Sequence, residues 1–141
     1  MDGRTFVSIV PAVVVGVLYE LFLGHRHDYT GHFAAGYGAT FGAVMWWLKT
    51  MDSDRFARTS TQSIAPICVG CILLGALAEA TAFRIAKFDQ IDFCNQSLGA
   101  VSAAIAATTY TGQVKPPDKA FLTGIITGIA FLAVGACFTV A

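Results

Sequence analysis

Two short stretches of a largely apolar chain gather all three of its histidines and three of its aspartates. GHRHDYTGHF, residues 24–33, holds three histidines and Asp28, and FDQIDFCN, residues 88–95, holds Asp89, Asp92 and Asn95. Asp28 and His32 are four residues apart and share a helix face if a helix begins by residue 28. Asp89, Asp92 and Asn95 recur every third residue and line one face running into the following helix. Glu79 stands near the end of a long apolar run. A carboxylate at membrane depth is costly unless it is paired or faces a wet cavity, and His32 is its natural partner in this inventory. An imidazole among carboxylates suits capture of a polar ligand and, with a nucleophile present, general acid–base work.

Each residue also has a plainer use. Asp28 or Thr30 can cap the second helix, and Asp89 or Asp92 the fourth, where an acid also favours the positive end of the helix dipole. His25 and His27 suit an interfacial loop, Glu20 can reach up to headgroups, and Asn95 can hydrogen-bond between helices. Histidine and carboxylate ligands suit zinc or iron, but no H-E-x-x-H is present, so neither a metal nor another cofactor is expected. There is no G-x-S-x-G elbow for a serine nucleophile. The G-x-G at Gly36 and Gly38 falls inside an apolar run, and so does the C-x-x-C at Cys68 and Cys71, read as packing residues.

The elements that must position these groups are membrane helices. Of 141 residues, 55 % are hydrophobic and 13 % charged, with a formal net charge of zero. Soluble domains carry about 25 % charged residues, so the chain belongs to the membrane class, and nothing in its charge suggests nucleic acid. A crossing needs roughly 20 apolar residues. The sequence predicts an all-α integral membrane protein, one domain over 1–141. Its five transmembrane helices fall at about 6–23, 31–48, 63–83, 92–111 and 120–141. Arg4 and the run after it read as a first membrane helix rather than a cleaved leader. The fourth run, with Asn95, Gln96, Ser97 and many alanines, suits the middle of a bundle, and the fifth suits its periphery.

Five crossings put the N-terminus, 49–62 and 112–119 on one side, with Arg4, Lys49, Arg55, Arg58, Lys115 and Lys119. The other side has Arg26, Arg84 and Lys87. The positive-inside rule then predicts a cytoplasmic N-terminus, an outer C-terminus, and Trp46 and Trp47 at the inner interface. Four helix ends converge on the outer side, bringing Glu20, Asp28, His32, Glu79, Asp89, Asp92 and Asn95 to one depth. Small-residue stripes at Gly31, Ala35, Gly38 and Gly42, and at Gly124, Gly128 and Gly135, allow close helix approach.

At these residues the chain resembles the VanZ-like family of small polytopic membrane proteins. The resemblance rests on D-x-x-x-H-F at Asp28, His32 and Phe33, on Glu79 near a helix end, and on FDQIDFCNQSLGA with Asp89, Asp92, Asn95 and Gly99. It spans roughly residues 5–110. Tyr29 stands where the family often has lysine, and the glutamine that often follows the family's glutamate is missing. The resemblance implies a cell-envelope protein, most simply in a bacterial inner membrane, with some relatives linked to glycopeptide-antibiotic resistance. The expected function is an outer-facing His/carboxylate pocket, formed by Asp28, His32, Glu79, Asp89, Asp92 and Asn95, that binds an envelope component. The alternative is a structural accessory subunit of a larger membrane complex, docked to other membrane proteins through Gly38, Gly42, Gly124 and Gly128.

Overall fold

The computed structural model describes residues 3–23, 26–81 and 89–140, apart from the side chain of Val140. His25, Arg84 and Lys87 lie outside the described residues. These residues form six α-helices: α1 (Gly3–Leu23), α2 (His27–Thr50), α3 (Ser53–Thr59), α4 (Ile64–Thr81), α5 (Gln90–Ala107) and α6 (Asp118–Val140). A 3₁₀ turn at Thr108–Tyr110 prolongs α5. Among the described residues there is no strand.

By length and apolar content, three helices can cross a membrane: α1, α4 and α6. Five were expected. The two that fall short, α2 and α5, carry the polar side chains: His27, Asp28, His32 and Lys49 on α2, and Asp92, Asn95, Gln96 and Ser97 on α5. Their alanines and glycines lower mean hydropathy further. The connector at 49–62 also hides an element, the short α3. Asp52 starts it by accepting the Arg55 backbone N–H at 2.8 Å, which holds that carboxyl below the ordinary carboxylate range.

The core is organised around α2, not around α5 as its composition suggests. Phe33, Tyr37, Phe41, Val44, Met45 and Leu48 of α2 are all fully buried. Tyr37 packs its ring 5.0 Å from Phe131 of α6, and Phe41 meets Tyr110 edge-on at 5.9 Å. By contrast α1, α4 and α6 leave long apolar rows exposed, among them Val13, Val17 and Leu21; Leu73, Leu74 and Leu77; and Ile126 and Ile129.

Helix ends sort by chemistry. At one end, Thr5 and Tyr110 share a hydrogen bond at 3.2 Å. Lys115 Nζ donates to the carbonyls of Lys49 and Met51 at 2.9 and 2.6 Å. A cation on those last carbonyls of α2 complements the negative end of its dipole. Arg55 lies over the Trp47 ring at 5.0 Å. This basic end therefore collects the tails of α2 and α5 and the heads of α1, α4 and α6. The opposite end collects the described histidines with Glu20, Asp28, Glu79, Asp89 and Asp92.

Small residues set the spacing of the helices. A Cβ on Gly36 would strike the Gln96 carbonyl, and one on Gly99 the Phe33 carbonyl, so α2 and α5 cross with their backbones touching. Along α6, a Cβ on Gly128 would lie 2.7 Å from Gly42 Cα and 2.8 Å from the Gly38 carbonyl oxygen. One on Gly124 would lie 2.6 Å from Met45 Cγ. Gly38, Gly42, Gly124 and Gly128 are thus taken up by the α2–α6 seam of the chain itself. A backbone has no rotamer with which to yield, so Gly128→Ala should destabilise the fold by about 1–3 kcal/mol through overpacking. Gly70→Ala, with nothing within 4 Å of the added carbon, should be neutral or slightly stabilising. Thermal unfolding in detergent, followed by circular dichroism, checks the pair.

Candidate ligand-binding site

The polar end is built where α2 begins. Its first residue is His27, and its N-cap is Arg26, with no side-chain capping bond. Neither Asp28 nor Thr30 caps it. Asp28 instead holds Arg26 at 2.9 Å, and Arg26 lies over the Tyr29 ring at 3.9 Å. Starting at His27 puts His32 in the second turn, facing α4 and α5.

His32 stands between two carboxylates. Its Nδ1 is 3.6 Å from Glu79 Oε1, near the end of α4, and its Nε2 is 3.5 Å from Asp92 Oδ2, in the first turn of α5. All three side chains are largely buried, Glu79 most deeply at 8 % exposed. Both separations exceed an ordinary hydrogen bond, so the carboxylates bracket the imidazole without clasping it. The two ring nitrogens point in opposite directions, so the carboxylates cannot close on one ion together with a single nitrogen. Among the described residues no group of three histidine, cysteine or carboxylate side chains is arranged to hold a metal.

Beside the bracket lies a cleft of about 220 Å³. Glu79, His32 and Gln96 supply its main polar wall. Ala35 and Ala39 of α2, Ala78 of α4, and Leu132 and Ala136 of α6 supply the apolar remainder. Alanine at these positions creates the space, since a larger side chain would fill it. Two buried polar atoms of α5, Asp92 Oδ1 and Asn95 Nδ2, have no hydrogen-bond partner among the described residues.

The other predicted residues divide between the two sides of α5. Asp89 is the N-cap of α5, accepting from the Ile91 and Asp92 backbone N–H groups at 2.8 and 3.4 Å. Asn95 turns to α1, where its Oδ1 accepts from the Tyr19 hydroxyl at 2.9 Å. Glu20 does not extend freely toward headgroups. Its two oxygens accept from Thr30 at 2.7 Å and from His27 at 2.7 Å, tying α1 to the start of α2. The structure therefore brings His32, Glu79 and Asp92 together, with Asp28 held nearby by Arg26 and with capping and bridging work for Asp89 and Asn95.

Sequence reasoning passed over Gln96 and Tyr19. Gln96 is four residues after Asp92, so helical spacing signals a shared face. Tyr19 carries no such signal, because its partner is 76 residues away. Compared with protein-family models, with curated proteins and with solved structures, the chain matches none.

Capping and ligand contact at Asp89 predict different outcomes. Asp89→Ala should cost about 1 kcal/mol of stability through the lost cap. Asp89→Asn, which still caps well, should unfold close to the native temperature. Thermal unfolding of the two variants separates the effects of cap and charge.

Proposed function

We propose that the chain is a VanZ-like membrane protein of five crossings, α1, α2, α4, α5 and α6, whose polar end faces outward and binds a component of the cell envelope. The observation that carries this is the buried bracket of Glu79, His32 and Asp92 beside an open cleft. The same three residues carry much of the family resemblance. Burying three ionisable groups together costs several kcal/mol unless something repays it, and intramembrane ionisable residues are functional candidates for that reason.

Two crossings need support beyond hydropathy. At 1.5 Å per residue α2 is about 36 Å long and α5 about 27 Å, against a hydrocarbon core of about 30 Å. His32 of α2 and Asp92 of α5 face one another, while α1, α4 and α6 would present apolar rows to lipid. Orientation follows from the basic end: Arg4, Lys49, Arg55, Arg58, Lys115 and Lys119 favour the cytoplasm. The membrane is then a bacterial inner membrane, with the N-terminus inside and the C-terminus outside.

Binding is tested by thermal unfolding in detergent, with separate additions of a bacterial polar-lipid extract and of a peptidoglycan stem pentapeptide. One of the two should raise the Tm of the native chain by several degrees. His32→Ala and Glu79→Ala should both remove that rise while helical content stays native. A rise that persists unchanged in both variants, or no rise with either addition, contradicts the proposal.

A further inference from the structure

We infer that the cleft takes the headgroup of a lipid bearing a primary ammonium, which enters sideways between α4 and α6. The inference rests on the function just proposed and names the ligand class. Three observations on the cleft point to it.

The first is charge. Glu79 is nine-tenths buried, lines the cleft, and has no hydrogen bond to any described residue, with His32 the nearest partner at 3.6 Å. Two carboxylates face one imidazole, so when both are ionised their charge exceeds what a single imidazole can balance. The described walls of the cleft carry no lysine or arginine. Arg26, the arginine described at this end, is held by Asp28 at 2.9 Å. In a low-dielectric setting a residual negative charge is costly, and a cation from outside the chain offsets it.

The second is hydrogen bonding. The lining of the cleft includes acceptors, the Glu79 carboxylate and the Thr139 hydroxyl, with the Gln96 amide among its polar groups. A primary ammonium brings three N–H donors to acceptors of this kind. A trimethylated ammonium carries the same charge and no donor, so it cannot satisfy them.

The third is access. α4 and α6 both pack against α2 but make at most marginal contact with each other. Both helices carry exposed apolar side chains, among them Leu74 and Leu77 on α4 and Ile129 and Leu132 on α6. Leu132 also lines the cleft. A headgroup that enters between such walls keeps its acyl chains against apolar side chains throughout. A soluble amine would have to cross the same apolar rim without that contact, so the lipid is the occupant chosen.

Lipid retention on the full chain tests this. The protein is reconstituted in bilayers with equal parts of phosphatidylethanolamine, its N-methyl, N,N-dimethyl and N,N,N-trimethyl forms, and phosphatidylglycerol. It is then extracted in mild detergent and weighed by native mass spectrometry. The ethanolamine lipid should be retained at least tenfold over the trimethyl form and over phosphatidylglycerol, with retention falling at each methylation. Glu79→Gln, which removes charge while keeping shape, should abolish the preference. The methylation series needs no variant and therefore holds even if a substitution impairs folding. Equal retention across the series, preference for phosphatidylglycerol, or a preference unchanged in Glu79→Gln would each overturn the inference. If the stem pentapeptide still raises the Tm in a His32- and Glu79-dependent way, only the ammonium assignment fails. If neither residue matters to either ligand, the pocket fails with it.

Discussion

Everything at the polar end depends on how closely α2 is approached by its neighbours. α5 and α6 reach its backbone at Gly36, Gly38, Gly99 and Gly128, where a single added carbon would collide with main-chain atoms. Main-chain contact of this kind fixes the rotation and height of each helix. A change of one residue in register would turn His32 by about 100° about the helix axis, since 3.6 residues complete a turn. The bracket is thus a consequence of seams formed far from it. Membrane helices gain little from hydrophobic exclusion by one another, so van der Waals fit along such seams supplies much of what holds them.

The seam also explains the division of labour among the helices. α2 is buried on most of its circumference, so it can carry a histidine without exposing it to lipid. α5 lies against it and presents Asp92, Asn95 and Gln96 on the enclosed side. The outer helices are freed to be apolar. At the basic end Lys115, Tyr110, Phe121 and Phe56 lock α2, α5 and α6 to one another, which leaves variation in shape to the opposite end. Rigid packing below and an open cleft above is the arrangement a binding site needs, because a ligand then meets groups already in place.

Much of the architecture is legible in the chain. Apolar runs locate α1, α4 and α6, and the small-residue stripes foretell close contacts, although these fall within the chain at the α2–α6 seam. The convergence of Glu20, His32, Glu79 and Asp92 follows from counting helix directions. Other features are not legible, for identifiable reasons. α3 hides in a polar connector because a seven-residue helix with one buried residue, Phe56, has no periodic signal to read. The centrality of α2 is masked because alanine content marks α5 more strongly, whereas burial is decided by which helix has partners on most sides. The Tyr19–Asn95 and Glu20–Thr30 bonds join separate elements, and nothing local specifies them. Hydropathy leaves α2 and α5 below the apolar content of a crossing because they carry the polar side chains and many of the small residues.

The central claim is that His32 is energetically engaged with the buried Glu79 carboxylate across the α2–α4 contact. A double-mutant cycle of His32→Ala and Glu79→Gln, measured by reversible unfolding in detergent, tests it most directly. Contact between the two side chains predicts a coupling of about 0.5–3 kcal/mol. Losses that simply add, with a coupling indistinguishable from zero, would mean that the two groups are neighbours in space without acting on each other, and the site as described would not exist.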